Sequence, residues 1–309
     1  MKEMGRTSII YKNYDKSTDV EKFIKFYNHA HSDFPKHNNL TVDIAQQYIF
    51  GVPGYDSQSH FLAIKDSEIV GSVKGEVFAG KTGIIGMIVS PEYRMCGVED
   101  TLYDLVMNYY GQKGLNDARV LVDSTFPKMI AFYKSRGFYI WRISYHMSCN
   151  IAQLVKSSPQ IVAGYNIGAG NPNEMDNIRD VLTAGFQNEH VQEIISEFNR
   201  LIQEKGFDIN GLIVARKDNA IVGMIFNFIH PAMPKTGYVT WISVIPSERN
   251  KGLGKHLLSS GLSWMRDKGA LTAELNVDLK NSSALKLYQS CGFEVVSETN
   301  IMQKAHLRI

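Results

Sequence analysis

The sequence predicts an α+β protein of two tandem domains, each a mostly antiparallel central sheet flanked by helices. Three observations carry that expectation. Residues 89–138 repeat without gaps at 244–293, an offset of 155, with 14 identities in 50 positions, where composition alone gives roughly three. Strand and helix patterns follow one another in the same order in both halves. A chain of 309 residues also suits two cores of about 150 residues, a size that buries roughly two thirds of its unfolded surface without disulfides or metals.

In chain order, apolar residues at helical spacing predict helices around 20–30 and 42–49. Runs of β-branched and aromatic residues then predict strands at 61–64, 69–77 and 84–89. A helix follows on Val98, Leu102 and Val106, then a strand at 118–122 and a helix ending near Arg136. Near 152–160 the stretch Lys156-Ser157-Ser158-Pro159 reads as a linker, which divides the chain into domains 1–152 and 160–309. The second half opens with helices near 175–184 and 191–204, then strands at 212–215 and 221–228 joined by a turn at Asp218-Asn219. A strand at 238–245 runs into a helix whose face carries Leu253, Leu257, Leu258, Leu262 and Met265, stopped by Gly269. Last come a strand at 273–277, a short helix over about 282–291 capped by Asn281, and a strand opening at Phe293.

Composition narrows the partners. With 33 basic and 31 acidic residues and no basic block interleaved with aromatics, nucleic acid is not expected, and a compact ligand is. Cys96, Cys149 and Cys291 are too few and too scattered for a disulfide framework or a metal site. No apolar run reaches the ~18 residues of a membrane span, so the expected location is the cytoplasm, with no membrane partner and no metal. Oligomeric state is not legible.

The segment Val244-Ile-Pro-Ser-Glu-Arg249-Asn-Lys-Gly252-Leu-Gly254 takes a strand through Arg-x-x-Gly-x-Gly directly into a helix. Backbone N–H groups at such a start are unpaired and point one way, and with the helix dipole they favour an anion such as a phosphate or pyrophosphate. A Cβ at Gly252 or Gly254 would stand between amides and anion, and Arg249, Lys251 and Lys255 add positive charge. A tight turn with no ligand would use the same residues. About 27 residues on stands Asn281-Ser-Ser-Ala284-Leu-Lys-Leu-Tyr288-Gln-Ser-Cys-Gly292-Phe293.

The two motifs together resemble the GNAT superfamily of acetyl-CoA-dependent N-acetyltransferases, whose members show Val-x-Pro before Arg/Gln-x-x-Gly-x-Gly/Ala and, later, Asn-x-x-Ala-x-x-x-Tyr-x-x-x-Gly-Phe. The tandem layout resembles that of the mycothiol synthase branch. The resemblance implies acetyl-CoA as co-substrate and transfer of acetyl to a primary amine, of a small molecule or a peptide, by direct attack in a ternary complex at the C-terminal domain. It implies that Ile242, Ser243 and Val244 offer backbone groups to the pantetheine arm. Arg249, Asn250, Lys251, Gly252, Leu253, Gly254 and Lys255 would hold the pyrophosphate, Asn281 and Ala284 would meet the arm, and Tyr288 would face the sulfur. A phenol there can protonate the departing thiolate, uphill by only ~2 kcal/mol at ordinary values of about 10 and 8.5. Asn281 would equally cap its helix, and Tyr288 would equally pack in the core.

The first half departs from the pattern. Glu99 stands at the position of Gly254 and Phe126, followed by Pro127, at that of Asn281. A carboxylate ~5 Å from each phosphate charge costs roughly 3 kcal/mol at an effective dielectric of about 20. Binding there is expected to be weak or absent, and function is sought in the second half. The family's usual strand glutamate is also missing, since 238–245 holds no acid. Thr240 or Ser243 could relay a proton through water, and Glu189, His190 and His230 lie in loops expected near the acceptor. A non-catalytic acyl-CoA-binding protein is the alternative reading. A dinucleotide-binding fold is not supported, since Gly-x-Gly-x-x-Gly is absent.

Overall fold

A computed structural model describes residues 8–34, 39–50, 55–78, 82–152, 163–186, 191–203, 207–229 and 233–307. The elements are β1 (Ile10–Asn13), α1 (Val20–Ala30), α2 (Val42–Ala45), β2 (His60–Lys65), β3 (Glu68–Phe78), β4 (Thr82–Val89), α3 (Val98–Gln112), β5 (Asp117–Asp123), α4 (Pro127–Ser135), β6 (Tyr139–Asn150), β7 (Asn166–Ala169), α5 (Met175–Gly185), α6 (Val191–Leu201), β8 (Leu212–Lys217), β9 (Ala220–Ile229), β10 (Thr236–Val244), α7 (Leu253–Asp267), β11 (Thr272–Asp278), α8 (Ser282–Ser290) and β12 (Glu294–Lys304). The order matches the sequence expectation, with β1, β6 and β7 added. The helix read at 42–49 continues past α2 as a π-helical turn, Gln46–Phe50.

Contacts divide the chain into two compact units, residues 1–142 with 299–309, and residues 143–298. In the first, β1, β2, β3 and β4 are antiparallel neighbours, β5 lies parallel to β4, and Thr299–Lys304 of β12 completes the sheet antiparallel to β5. In the second, β7, β8, β9 and β10 are antiparallel neighbours, β11 lies parallel to β10, and Ser144–Asn150 of β6 closes the sheet against β11. The expected cut at 152/160 followed composition. The contact division differs because each unit takes its last strand from the stretch that ends the other sequence half, a pairing that no local signal encodes.

Both sheets are buried on two faces, by alternation along the strands. In the second unit Ile213 and Ala215 of β8 face the core formed with α7 and α8. Their neighbours Leu212 and Val214 face the core of α5 and α6, with Ile178, Leu182 and Phe198. The first unit repeats the plan: Leu102, Val106 and Tyr110 of α3 cover one face, and Phe23, Phe26 and Ala30 of α1 the other.

Candidate acyl-transfer site in the second unit

The loop before α7 has the shape an anion site requires. Asn250 (φ 61°) and Gly252 (φ 84°) both adopt the left-handed conformation, which turns successive amides to one side. His256 N–H, bonded to Gly252 O, is the first of the helix to find a backbone acceptor. Among the described residues the N–H groups of Asn250 through Lys255 donate to no protein atom. A Cβ added at Gly252 would meet nothing within 4 Å, so the space above the amides is open. Leu253, buried in the core under α7, pins the turn. At Gly254 a Cβ would lie 3.3 Å from Leu287 Cδ2, so this glycine eases the approach of α7 to α8.

Two of the three basic side chains expected at the anion are committed elsewhere. Arg249 donates from Nε to Val244 O and from Nη2 to Gly185 O, each at 3.0 Å, tying the loop to β10 and α5. Arg94 makes the corresponding bonds to Val89 O and Ala30 O in the first unit, which marks a structural clamp. Lys251 pairs with Glu248 at 2.8 Å. Glu248 also accepts from Lys217 and from the Tyr165 hydroxyl, and these three bonds hold its carboxyl down at about 2. Lys255 is exposed and makes no bond among the described residues, so it is the cation left for the ligand.

β10 opens the sheet beside this loop. It pairs with β11 only over Thr236–Tyr238 against Thr272–Glu274, and a bulge at Thr240 shifts its register against β9. Beyond the bulge Ile245 N–H donates to Val222 O. By the two-residue period, Trp241 and Ser243 turn their backbone groups to β9, while Ile242 and Val244 turn theirs to the side β11 has left. Of the three residues expected to offer backbone groups, Ser243 therefore does not. Its hydroxyl donates to Val181 O at 2.7 Å and is buried, so it is no proton relay either.

Asn281 caps α8: its Oδ1 accepts from Ala284 N–H at 3.1 Å and from Ser283 Oγ at 3.0 Å. Nδ2 makes no bond among the described residues, so the cap leaves it available to a ligand. Tyr288, 6% exposed, packs against Phe293 at 5.9 Å between ring centres, and its hydroxyl has no protein partner among the described residues. Burial pushes the phenol up to about 12. Against a thiol near 8.5 that widens the gap to about 5 kcal/mol. The same dry surroundings raise the thiolate's own value, since both groups ionise to anions, which narrows it again.

The first unit answers each of these features differently. Glu99, 1% exposed, turns into the loop and accepts from Met95 N–H at 2.8 Å. A carboxylate thus already occupies the anion position. Phe126 packs against Phe34 and under the Arg94 guanidinium, and the Tyr133 hydroxyl lies 3.9 Å from Met87 Sδ.

Glu189, His190 and His230 lie outside the described residues. A cluster that sequence reasoning missed stands on the sheet face opposite α7 and α8. His146 on β6 lies 3.4 Å from Glu274 and 3.2 Å, from Nδ1, to Asn276 Oδ1. Glu274 and Asn276 alternate with buried Ala273, Leu275 and Val277, a signal visible in the sequence. His146 was invisible because β6 was not foreseen.

Comparison with known proteins accords with this geometry. The acetyltransferase (GNAT) family pattern matches residues 23–138 and again 175–293. The chain belongs to the acetyltransferase (GNAT) family. It is an N-acetyltransferase of two GNAT domains, a family that works with acyl-CoA co-substrates. Among relatives, a mycothiol acetyltransferase from Cellulomonas flavigena is 22% identical over 237 residues, 73% of this chain and 68% of the relative. One from Thermobispora bispora is 26% identical over 218 residues, 67% and 71% of the two chains. A GCN5-related N-acetyltransferase from Sphaerobacter thermophilus shares the fold with a TM-score of 0.82 at 14% identity, covering 97% of this chain and 96% of that one. A tandem GNAT protein from the clavulanic acid biosynthesis pathway does so at 0.76 and 13% identity, covering 98% and 99%. No helix among the described residues is long and apolar enough to cross a membrane.

Proposed function

We propose that the second unit transfers acetyl from acetyl-CoA to a primary amine of a small molecule or peptide, by direct attack in a ternary complex in the cytoplasm. The observation that carries this reading is the run of N–H groups from Asn250 to Lys255 that find no acceptor among the described residues, beside the open edge of β10. The loop amides and Lys255 would hold the pyrophosphate, the Ile242 and Val244 backbone and Asn281 Nδ2 the pantetheine arm. An N–H of that strand would stabilise the charge that develops on the thioester oxygen. Tyr288 would return a proton to the sulfur. The first unit is read as non-binding, since Glu99 fills its loop.

Calorimetric titration of acetyl-CoA into the whole chain tests the reading. One site per molecule supports it and opens a screen of amines, starting with those related to mycothiol because the relatives above carry that name. No binding, or two equal sites, rejects it.

A further inference from the structure

We propose that Glu274 is the general base for the acceptor amine and that His146, held by Asn276, is its positioning residue. The assignment rests on the acyl-transfer reading above. An alkylamine arrives at neutral pH as an ammonium ion and cannot attack until it loses a proton, so a base must border the gap where attack occurs. β10 and β11 form the two walls of that gap. β10 carries no acid, and β11 carries Glu274 and Asp278. Asp278 is taken up at the far end of its strand, where it accepts from Lys280 N–H at 2.8 Å. Glu274 stands on the last rung, opposite Tyr238, before the two strands part.

Its surroundings suit the task. The Glu274 and His146 side chains are 16% and 22% exposed, screened from bulk water yet reachable. Asn276 and His146 are direct partners across β11 and β6, which fixes the ring beside the carboxylate. Burial first, and then the adjacent Glu274 carboxylate, push the neighbouring Tyr238 phenol up to about 12.

The proton balance closes. Glu274 takes one proton from the ammonium, and the freed lone pair forms the C–N bond at the thioester carbonyl. The C–S bond then breaks, and the thiolate leaves with the proton of Tyr288. The acylated nitrogen gives its surplus proton to the Tyr288 phenolate, and the proton on Glu274 leaves through His146 to solvent. One proton is released per acetyl transferred.

The test uses the whole chain, acetyl-CoA and two probe nucleophiles: benzylamine, protonated at neutral pH, and hydroxylamine, largely neutral there. CoA formed is quantified by chromatography. Glu274→Gln is expected to slow benzylamine acetylation by about 10²-fold or more, to leave hydroxylamine within about threefold, and to leave acetyl-CoA affinity unchanged. His146→Ala gives a smaller loss in the same direction, and His146→Gln restores part of it, which a merely structural defect would not do. Equal slowing of both nucleophiles in Glu274→Gln, slowing of neither, or a wild-type enzyme that binds acetyl-CoA but leaves benzylamine untouched overturns the base. A wild-type chain that binds no acetyl-CoA overturns the acyl-transfer reading itself, and the base with it.

Discussion

Replacing Gly254 with glutamate copies into the second unit the residue that the first already carries, and the structure says what it will do. The new Cβ meets only the end of the Leu287 side chain, at 3.3 Å, a contact that a small shift of that side chain relieves, so the substitution is tolerated. Its carboxylate reaches back over the loop as Glu99 does to Met95 N–H at 2.8 Å, here taking the N–H of Asn250. It removes a donor from the anion site and places a negative charge ~5 Å from where each phosphate would lie. At an effective dielectric of about 20 each such contact costs roughly 3 kcal/mol, more than a hundredfold in affinity. The expected result is a rise in the acetyl-CoA dissociation constant of at least about 10²-fold by calorimetry, with the melting temperature nearly unchanged. Gly254→Ala, which adds the Cβ without the charge, is expected within about threefold of wild type. Gly254→Glu that melts normally and binds acetyl-CoA like wild type would refute the reasoning, because the α7 amides would then not be the anion site.

Tyr288→Phe is expected to lower the acetylation rate by about 10²-fold with unchanged acetyl-CoA affinity, since the ring stays against Phe293; stopped-flow rates with parallel calorimetry check it. Ser243→Ala removes the buried hydroxyl's bond to Val181 O and should destabilise the second unit by about 0.5–1.5 kcal/mol, read from urea denaturation. Glu248 ionises well below the ordinary carboxylate range. Its bonds therefore contribute stability that is complete above about 4.5 and lost as pH falls toward about 2. Glu248→Gln should lower the melting temperature above about pH 4.5 and flatten the acid limb, so that variant and wild type converge as pH falls toward about 2; a downward shift of equal size at all pH values would contradict this.

Much of the architecture was written locally. The 3.6-residue spacing of Leu253, Leu257, Leu258, Leu262 and Met265, the Asn281 cap and the left-handed glycine at 252 are decided by interactions within a few residues, so the sequence alone placed the elements other than β1, β6 and β7, and the turn before α7. The same holds for the contrast between Gly254 and Glu99, which is a difference of residue type at one repeated position. It predicted which half to search, and the buried Glu99 carboxylate in its loop is the physical form of that contrast.

Side-chain direction and strand partnership are non-local, and there the sequence could not reach. Arg249 and Lys251 look like phosphate ligands in a basic motif, yet only packing brings Val244 O, Gly185 O and Glu248 within their reach. Ser243 turns to Val181 because the bulge at Thr240 resets the alternation of β10. The exchange of last strands, which brings His146 to Glu274, depends on backbone hydrogen bonds between segments more than a hundred residues apart. The sequence by itself determined the duplicated α+β order, the family and the loop that can hold an anion. The tertiary structure alone decided which polar groups remain unpaired to meet a ligand, because that is settled by what every other donor and acceptor has already bound.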